Sequence, residues 1–456
     1  MRASLGSTMF DRFRHPLVAV AAALLLTVPF LGLFVSHGLH LSPEPPGANI
    51  TPAMAVLAGG AAILGASFLL AWAAETAEKD VPTAFAIAVL AVLAVAPEYA
   101  VDALYAWQAG SGQSGAAQLA IANMTGANRI LIGIGWAGIA LFTVYRAKHL
   151  GDEAVEHRSG FLADVVTLDH GIALEIAFLL AATAFAFFVP LGGTIGILDT
   201  VVLLGLYVLY IAIVIRGDIE EPEENVGVPA YFQAYSKVPR IAVVLFLFAF
   251  SGVLIYIAVH PFAMGLERLG LQYGVPEFFM IQWLAPLASE SPELIVVAYL
   301  VNKARSTAGF NALISSKLNQ WTLLIGTLAI VFSIAAGHIG GLPIDEKQVA
   351  EIWITAAQSL FAIGILSNFE ISVREAIGLL VLFASQVIAE FYVIRTMSAQ
   401  AANEVSILIL HGYTVVYVVL GLALFVRHRE SLRELLGRTA TNAREAIGSS
   451  QPERAD

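Results

Sequence analysis

The chain has 456 residues, 58% of them hydrophobic and only 13% charged, with a mean hydropathy of +0.78. A soluble domain carries about 25% charged residues, so most of this chain belongs in lipid, and its net charge of -11 says little about a partner. The absence of cysteine excludes disulfides and thiolate metal sites, and no basic, aromatic-interleaved patch points to nucleic acid.

From the start, Met1–His15 is short, polar and basic (Arg2, Arg12, Arg14), and Pro16–Ser36 is an apolar run of spanning length. That run is too long for a secretory signal and no A-x-A-like cleavage site comes after it, so it reads as an uncleaved first helix. Further spans are expected near 52–75, 82–108, 116–145, 170–189, 194–215, 240–262, 276–302, 308–335, 349–368, 373–394 and 405–426, making twelve. Gly59, Gly60 and Gly65 in the second suit close helix contact. With a cytoplasmic N-terminus and alternating spans, only Arg268, Lys347 and Arg395 of the 24 lysines and arginines fall outside, while Arg129 and Lys317 stay within spans. All the others fall inside. That division supports the span count and an integral protein of the inner or plasma membrane with both termini cytoplasmic.

The stretch Gln282–Asn302, QWLAPLASESPELIVVAYLVN, is apolar overall yet carries Ser289, Glu290, Ser291, Pro292 and Glu293 at its middle. A charged residue at bilayer depth costs about 2.5–3.5 kcal/mol even on the mildest scale, so these acids are not expected to face lipid. Pro292 has no N–H to give Ala288, which frees a carbonyl beside the acids; such backbone is tolerated only when buried in protein or lining a wet cavity. Leu93–Trp107 is a partial copy, with Pro97 and Glu98 matching Pro292 and Glu293. Each Pro-Glu precedes a second apolar stretch with a polar start, Asn123–Gly135 and Ser315–Gly326. Aligning their last glycines sets Thr125 on Ser316, Asn128 on Asn319 and Arg129 on Gln320, with the loop Gly110–Gly115 absorbing a four-residue difference in spacing.

The Pro-Glu spans are the third and eighth, so they cross in opposite directions and the copies are inverted about a pseudo-twofold axis in the membrane plane. The expected organisation is a cytoplasmic N-terminus (1–15), a peripheral helix (16–36), a first repeat (52–215, with its paired stretch at 82–145), a linker (216–240), a second repeat (240–394, paired stretch 276–335), a peripheral helix (405–426) and a basic cytoplasmic tail (427–456). The linker holds Asp218, Glu220, Glu221, Glu223 and Glu224, read as a solvated acidic run or a cation-attracting one. The tail is expected to form an amphipathic surface helix.

The paired Pro-Glu spans, each followed by a Ser/Thr–Asn helix ending in I-G, resemble the alpha repeats of the cation/calcium exchanger superfamily, which includes the sodium/calcium exchangers. The resemblance implies an all-α membrane protein with a 5+5 inverted-repeat core over residues 52–394 and one extra helix at each end. The second repeat matches better: Ser289, Ser291, Pro292 and Glu293 fit the T/S-S-x-P-E motif, and Ser316 fits the serine of G-S-N-x-x-N. By that likeness Glu98 and Glu293 are the central carboxylates, Pro97 and Pro292 the kinks, and Glu290, Ser289, Ser291, Thr125, Asn128, Ser316, Asn319 and Gln320 the surrounding ion-binding set. The implied partners are the bilayer and small cations. No cofactor is implied beyond the transported sodium, calcium or proton as ligand.

Chemistry supports the likeness, since calcium and sodium are hard cations that take oxygen ligands and no His/Cys cluster suits zinc or copper. Two carboxylates sharing one pocket repel, and one of them can hold a proton when no metal is bound. The departures are Arg129 and Gln320 where the family has Asn or Asp, Gly126 and Lys317 after the hydroxyl, Ala94 in place of a hydroxyl ligand, and the extra acid Glu290. Arg129 is expected to pair with Glu98 or Glu290 as a built-in ion surrogate; otherwise Arg129 and Lys317 snorkel or lock helices. Asp102, one turn after Glu98, either extends the pathway or is interfacial. Glu175, near Asp169 and His170, is interfacial or a proton relay, and Glu75, Asp199, Glu351, Glu390 and His411 stand under the same alternatives. The function expected is cation antiport by alternating access; the alternative is a transporter of another, anionic, solute held by Arg129 and Lys317. An enzyme is not expected, because no HExxH, GxSxG or phosphate loop is present.

Overall fold

The computed structural model describes residues 15–37, 50–216, 227–273 and 279–448. The basic N-terminus before His15, the acidic run between Asp218 and Glu224 and the last residues of the tail lie outside them. Among the described residues, ten helices are long and apolar enough to cross a membrane, and two pairs of shorter helices do so as bent spans, which gives twelve. In lipid every backbone N–H and C=O must be satisfied within the segment, and helices do this.

Spans 1 and 2 are Pro16–His37 and Pro52–Ala77. Span 3 is the bent pair Thr83–Ala94 and Ala96–Gly110, and span 4 runs from Ala116 to Leu150 through a π turn at Leu131–Trp136. Spans 5, 6 and 7 are His170–Gly192, Ile197–Val214 and Lys237–Gln272. Span 8 is the bent pair Gln282–Ser289 and Ser291–Asn302, and span 9, Ser306–Ala336, carries a π turn at Gln320–Leu324. Spans 10, 11 and 12 are Glu346–Leu366, Val373–Thr396 and Ala399–Arg427, and the amphipathic helix Arg429–Gly448 comes after them. Helix starts use local polar groups. The Thr51 hydroxyl accepts from Met54 N–H with Pro52 at the first turn, and Asp345–Gln348 and Ser372–Glu375 form capping boxes.

The inverted repeat is visible in two small sheets that link the halves. Val155–Glu156 and Val165–Thr167, between spans 4 and 5, pair with Glu370–Ser372 between spans 10 and 11. Thr194–Ile195, between spans 5 and 6, pairs with Leu342–Pro343 between spans 9 and 10. Exchanging the halves turns one pairing into the other. Spans 2 and 7 pack closely because Gly59 meets Phe262, and Gly65 admits the Ala23 carbonyl of span 1. Span 7 also runs past its expected end near 262 to Gln272, because Pro261 is accommodated within a continuous helix.

Candidate cation site

The two Pro-Glu spans are bent by 52° and 51°, so the two sequence copies become the same local shape. In each case the proline sits in the first turn of the second helix, where its missing N–H has no helical partner to lose. Glu98 and Glu293 lie next to it in that first turn, and Glu290 is the hinge residue of span 8. In span 8 the carbonyl of Ala288 is taken up by the Ser291 hydroxyl at 2.7 Å, and Ser289 likewise donates to the Pro286 carbonyl at 3.0 Å. The freed carbonyl expected as a cation ligand is thus closed by its own neighbour.

Glu98, Glu290 and Glu293 form one buried cluster, in which the Glu290 carboxyl acts on both of the others. Carboxyl groups gathered in one buried pocket repel unless a proton or a cation is shared among them. The Gln320 amide bridges two of them, donating to Glu98 Oε2 at 3.0 Å and Glu290 Oε1 at 2.7 Å. Ser316 donates to Glu293 Oε2 at 2.5 Å. Asp102 is fully buried rather than interfacial; it accepts from Asn123 at 3.0 Å and acts electrostatically on Glu98. Lys317 is buried with its ammonium 4.6 Å from the centre of the Trp321 ring and 3.3 Å from the Asn128 carbonyl, and Glu290 and Glu98 are the carboxylates that act on it.

Oxygens remain in this cluster that no protein donor reaches. Among the described residues, Glu98 Oε1, Asp102 Oδ2, Glu290 Oε2, Glu293 Oε1, Asn128 Oδ1 and Gln320 Oε1 are buried without a hydrogen-bond partner. Buried polar atoms are ordinarily partnered, and a set of carboxylate and amide oxygens is what a hard cation takes as ligands. Asn319 belongs to the same region, its Oδ1 accepting from Tyr99 at 2.5 Å.

Two expected members lie elsewhere. The Thr125 hydroxyl donates to the Ile121 carbonyl at 2.7 Å and lies 3.3 Å from Glu351 on span 10, which Gln282 also reaches at 3.0 Å. Arg129 does not pair with Glu98 or Glu290. Its Nε donates to the Thr125 carbonyl at 3.2 Å, its guanidinium lies 4.7 Å from the centre of the Trp283 ring, and both Nη atoms are without hydrogen-bond partners. The acid on which it acts most clearly is Glu390 of span 11. Buried, it does not snorkel, and its contacts are with Thr125 and Trp283 rather than with the Pro-Glu carboxyls. Gly126, one turn earlier, lets span 4 press against the Gln282 carbonyl of span 8, where a Cβ would collide. Tyr99, Asn123, Gln282 and Glu351 were not singled out as ligands by motif spacing; Tyr99, directly after the first Pro-Glu, was the one within reach of such reasoning.

Bent spans that bring buried carboxylates of two inverted repeats together are the build of a secondary transporter, with its site between the repeats. The chain belongs to the sodium/calcium exchanger protein family, whose model matches residues 51–216 and 243–392, leaving spans 1 and 12 outside the matched core. Among solved structures it is similar to the H+/Ca2+ exchanger CAX at 40% identity, with a TM-score of 0.76, covering 95% of this chain and 99% of that one. It is also similar to the sodium-calcium exchanger NCX_Mj at 17% identity and a TM-score of 0.54, covering 74% of this chain and 97% of that one, a likeness of fold alone. A search of curated proteins gave no match.

Proposed function

We propose that this exchanger moves calcium against protons, with Glu98, Glu290 and Glu293 as the shared site. The observation that carries the reading is the gathering of three buried carboxyls under the Gln320 and Ser316 donors, with unpartnered oxygens around them. Protons between the carboxyls hold the cluster together when no metal is bound. A divalent cation that enters replaces those protons, since the same oxygens cannot serve both. Gln320 and Ser316 fix the carboxylates in either state, because each donates to an oxygen that the cation does not need. The 40% identity to an H+/Ca2+ exchanger favours the proton over sodium as the counter-ion. Asp102, one turn along from Glu98, extends the acidic path, and the lysine and arginine bias of the loops favours a cytoplasmic side for both termini.

The test is flux in proteoliposomes with imposed proton, sodium and calcium gradients. The proposal expects calcium uptake driven by a proton gradient, abolished by Glu98→Gln and by Glu293→Gln. Uptake driven by sodium and indifferent to the proton gradient would replace the proton by sodium in the same site. Absence of calcium movement under every gradient would sink the proposal.

A further inference from the structure

Each repeat contains a second buried glutamate, at the same place in its architecture. Glu175 is the sixth residue of span 5 counted from His170, and Glu351 is the sixth residue of span 10 counted from Glu346. These spans are the repeat counterparts of one another. Each glutamate is also linked to the polar helix of the other repeat, Glu351 directly and Glu175 through a tyrosine, at positions one residue apart in the alignment. Glu351 touches Thr125 of span 4. Glu175 accepts from the Tyr210 hydroxyl at 3.3 Å, and that hydroxyl lies 3.4 Å from Ser315 of span 9. Ser315 precedes Ser316, the sequence counterpart of Thr125, whose hydroxyl donates to Glu293. Because the spans run in opposite directions, the two glutamates lie on opposite sides of the central cluster, with Glu175 toward the face of the lysine- and arginine-rich loops.

We propose that Glu175 is a proton-holding carboxylate on the cytoplasmic side of the cation site, exchanging protons with it through the hydroxyls of Tyr210 and Ser315. The inference rests on the proton-coupled reading above. Glu175 is 1% exposed, its Oε2 has no partner, and no lysine or arginine among the described residues forms an ion pair with it. A structural glutamate at this depth would be matched by a cation; this one is matched by a phenol, which can pass a proton and keep its place. The titratable groups on the elements packed around it are few. Span 6 offers Tyr210 and, beside it, Tyr207, while its Asp199 lies in the first turn and accepts from the Gly196 N–H. The lysine of span 9, Lys317, is turned onto Trp321. Glu346, Lys347 and Glu351 of span 10 lie at that helix's other end. At the mouth, the tail helix holds the start of span 5 through Thr439 on the Ala173 carbonyl at 3.2 Å, and His170 faces Glu434, which pairs with Arg438.

In the step itself the O–H bond of a protonated carboxyl of the cluster breaks, the Ser315 and Tyr210 hydroxyls each accept one proton and release another, and an O–H bond forms on Glu175. Negative charge moves from Glu175 to the cluster, which is then free to hold a cation. The proton on Glu175 leaves toward His170 and water. No redox partner is involved.

The experiment uses the full chain in liposomes with two readouts, proton-driven calcium uptake as a function of pH and calcium–calcium exchange at equal pH, which moves no net proton. Glu175→Gln is expected to slow proton-driven uptake about 100-fold, the lower end of what a positioned proton-transfer group contributes, and to flatten its pH profile. Calcium–calcium exchange is expected to stay within about twofold of wild type, since the cluster itself is untouched. Tyr210→Phe keeps the ring packing and is expected to act in the same direction. Unchanged proton-driven uptake in both variants overturns the inference, and so does parallel loss of both exchange modes, which would mark a structural role. A wild type whose calcium uptake ignores protons removes the proton-coupled reading itself, and this inference with it.

Discussion

Arg305 gives a direct energetic test of how span 2 is fastened to span 8. It lies in the short connection after span 8, and its guanidinium reaches back 3.1 Å to Glu75 and 2.8 and 3.0 Å to the two oxygens of Glu78. The side chains of Glu75 and Glu78 are 1% and 3% exposed and that of Arg305 is 11% exposed, so water contributes little to any of the three. Burial pulls the Arg305 guanidinium down, but Glu78 and Glu75 outweigh it and hold its pKa above the usual arginine value. Arg305→Gln leaves both carboxylates buried. Removing one partner of a buried pair costs ~3–5 kcal/mol. Glu75 keeps Tyr299 at 2.9 Å and Lys303 at 3.4 Å, so the net loss is reduced to ~2–3 kcal/mol. Thermal unfolding of wild type, Arg305→Gln, Glu78→Gln and the double variant gives a cycle whose expected coupling is at least ~1 kcal/mol. A coupling below ~0.3 kcal/mol, within the error of additivity, would refute the reasoning.

Asp80 and Arg240 join the start of span 3 to the start of span 7 by two contacts of 2.7 Å, and that hydrogen bonding holds the Asp80 carboxyl below its usual 3.8. A depressed carboxylate stabilises above its unfolded-state value and loses that contribution as pH falls through the folded-state one. The melting difference between wild type and Asp80→Asn is therefore expected to be level from pH 7 to about 5 and to shrink in more acidic buffer; a gap that widens on acidification contradicts this. Gly126→Ala drives a methyl into the Gln282 carbonyl. Its destabilisation is expected at or above the usual ~1–3 kcal/mol for overpacking, because backbone must give, with calcium affinity falling in parallel by isothermal titration; unchanged affinity would separate span 4 from the site. Arg129→Asn is expected to leave the number of bound cations unchanged and to lower stability by about 1–2 kcal/mol through the lost contact with Trp283; an added cation on titration would restore Arg129 as an ion surrogate.

The pairing of the two halves was legible because it rests on constraints that act along the chain. A proline removes an N–H wherever it falls, a buried carboxylate cannot face lipid, and twelve alternating spans force the two Pro-Glu copies to oppose each other. The 52° and 51° bends fall at the first of these, the prolines. The ends of spans were less legible, because hydropathy marks where lipid ends and not where a helix ends. Span 4 continues to Leu150 through Lys148 and His149, where water replaces lipid but nothing stops the helix.

The direction of Arg129 was not legible, and the reason lies in the π turns. Alignment sets Arg129 on Gln320, yet Gln320 opens the π turn of span 9, whereas Arg129 lies within the α-helix that runs to Ile130, before the π turn of span 4. A widened turn rotates the residues beyond it, so aligned residues need not share a direction. Gln320 meets Glu98 and Glu290, while Arg129 meets Trp283. The consequence is a lopsided site. Both repeats supply carboxylates, but the donors that hold them, Gln320 and Ser316, and the nearby cation Lys317 all come from span 9. The better motif match of the second repeat has this physical basis: one set of donors is enough to fix three carboxylates at a shared interface. The first repeat was then free to turn its polar helix toward Glu351.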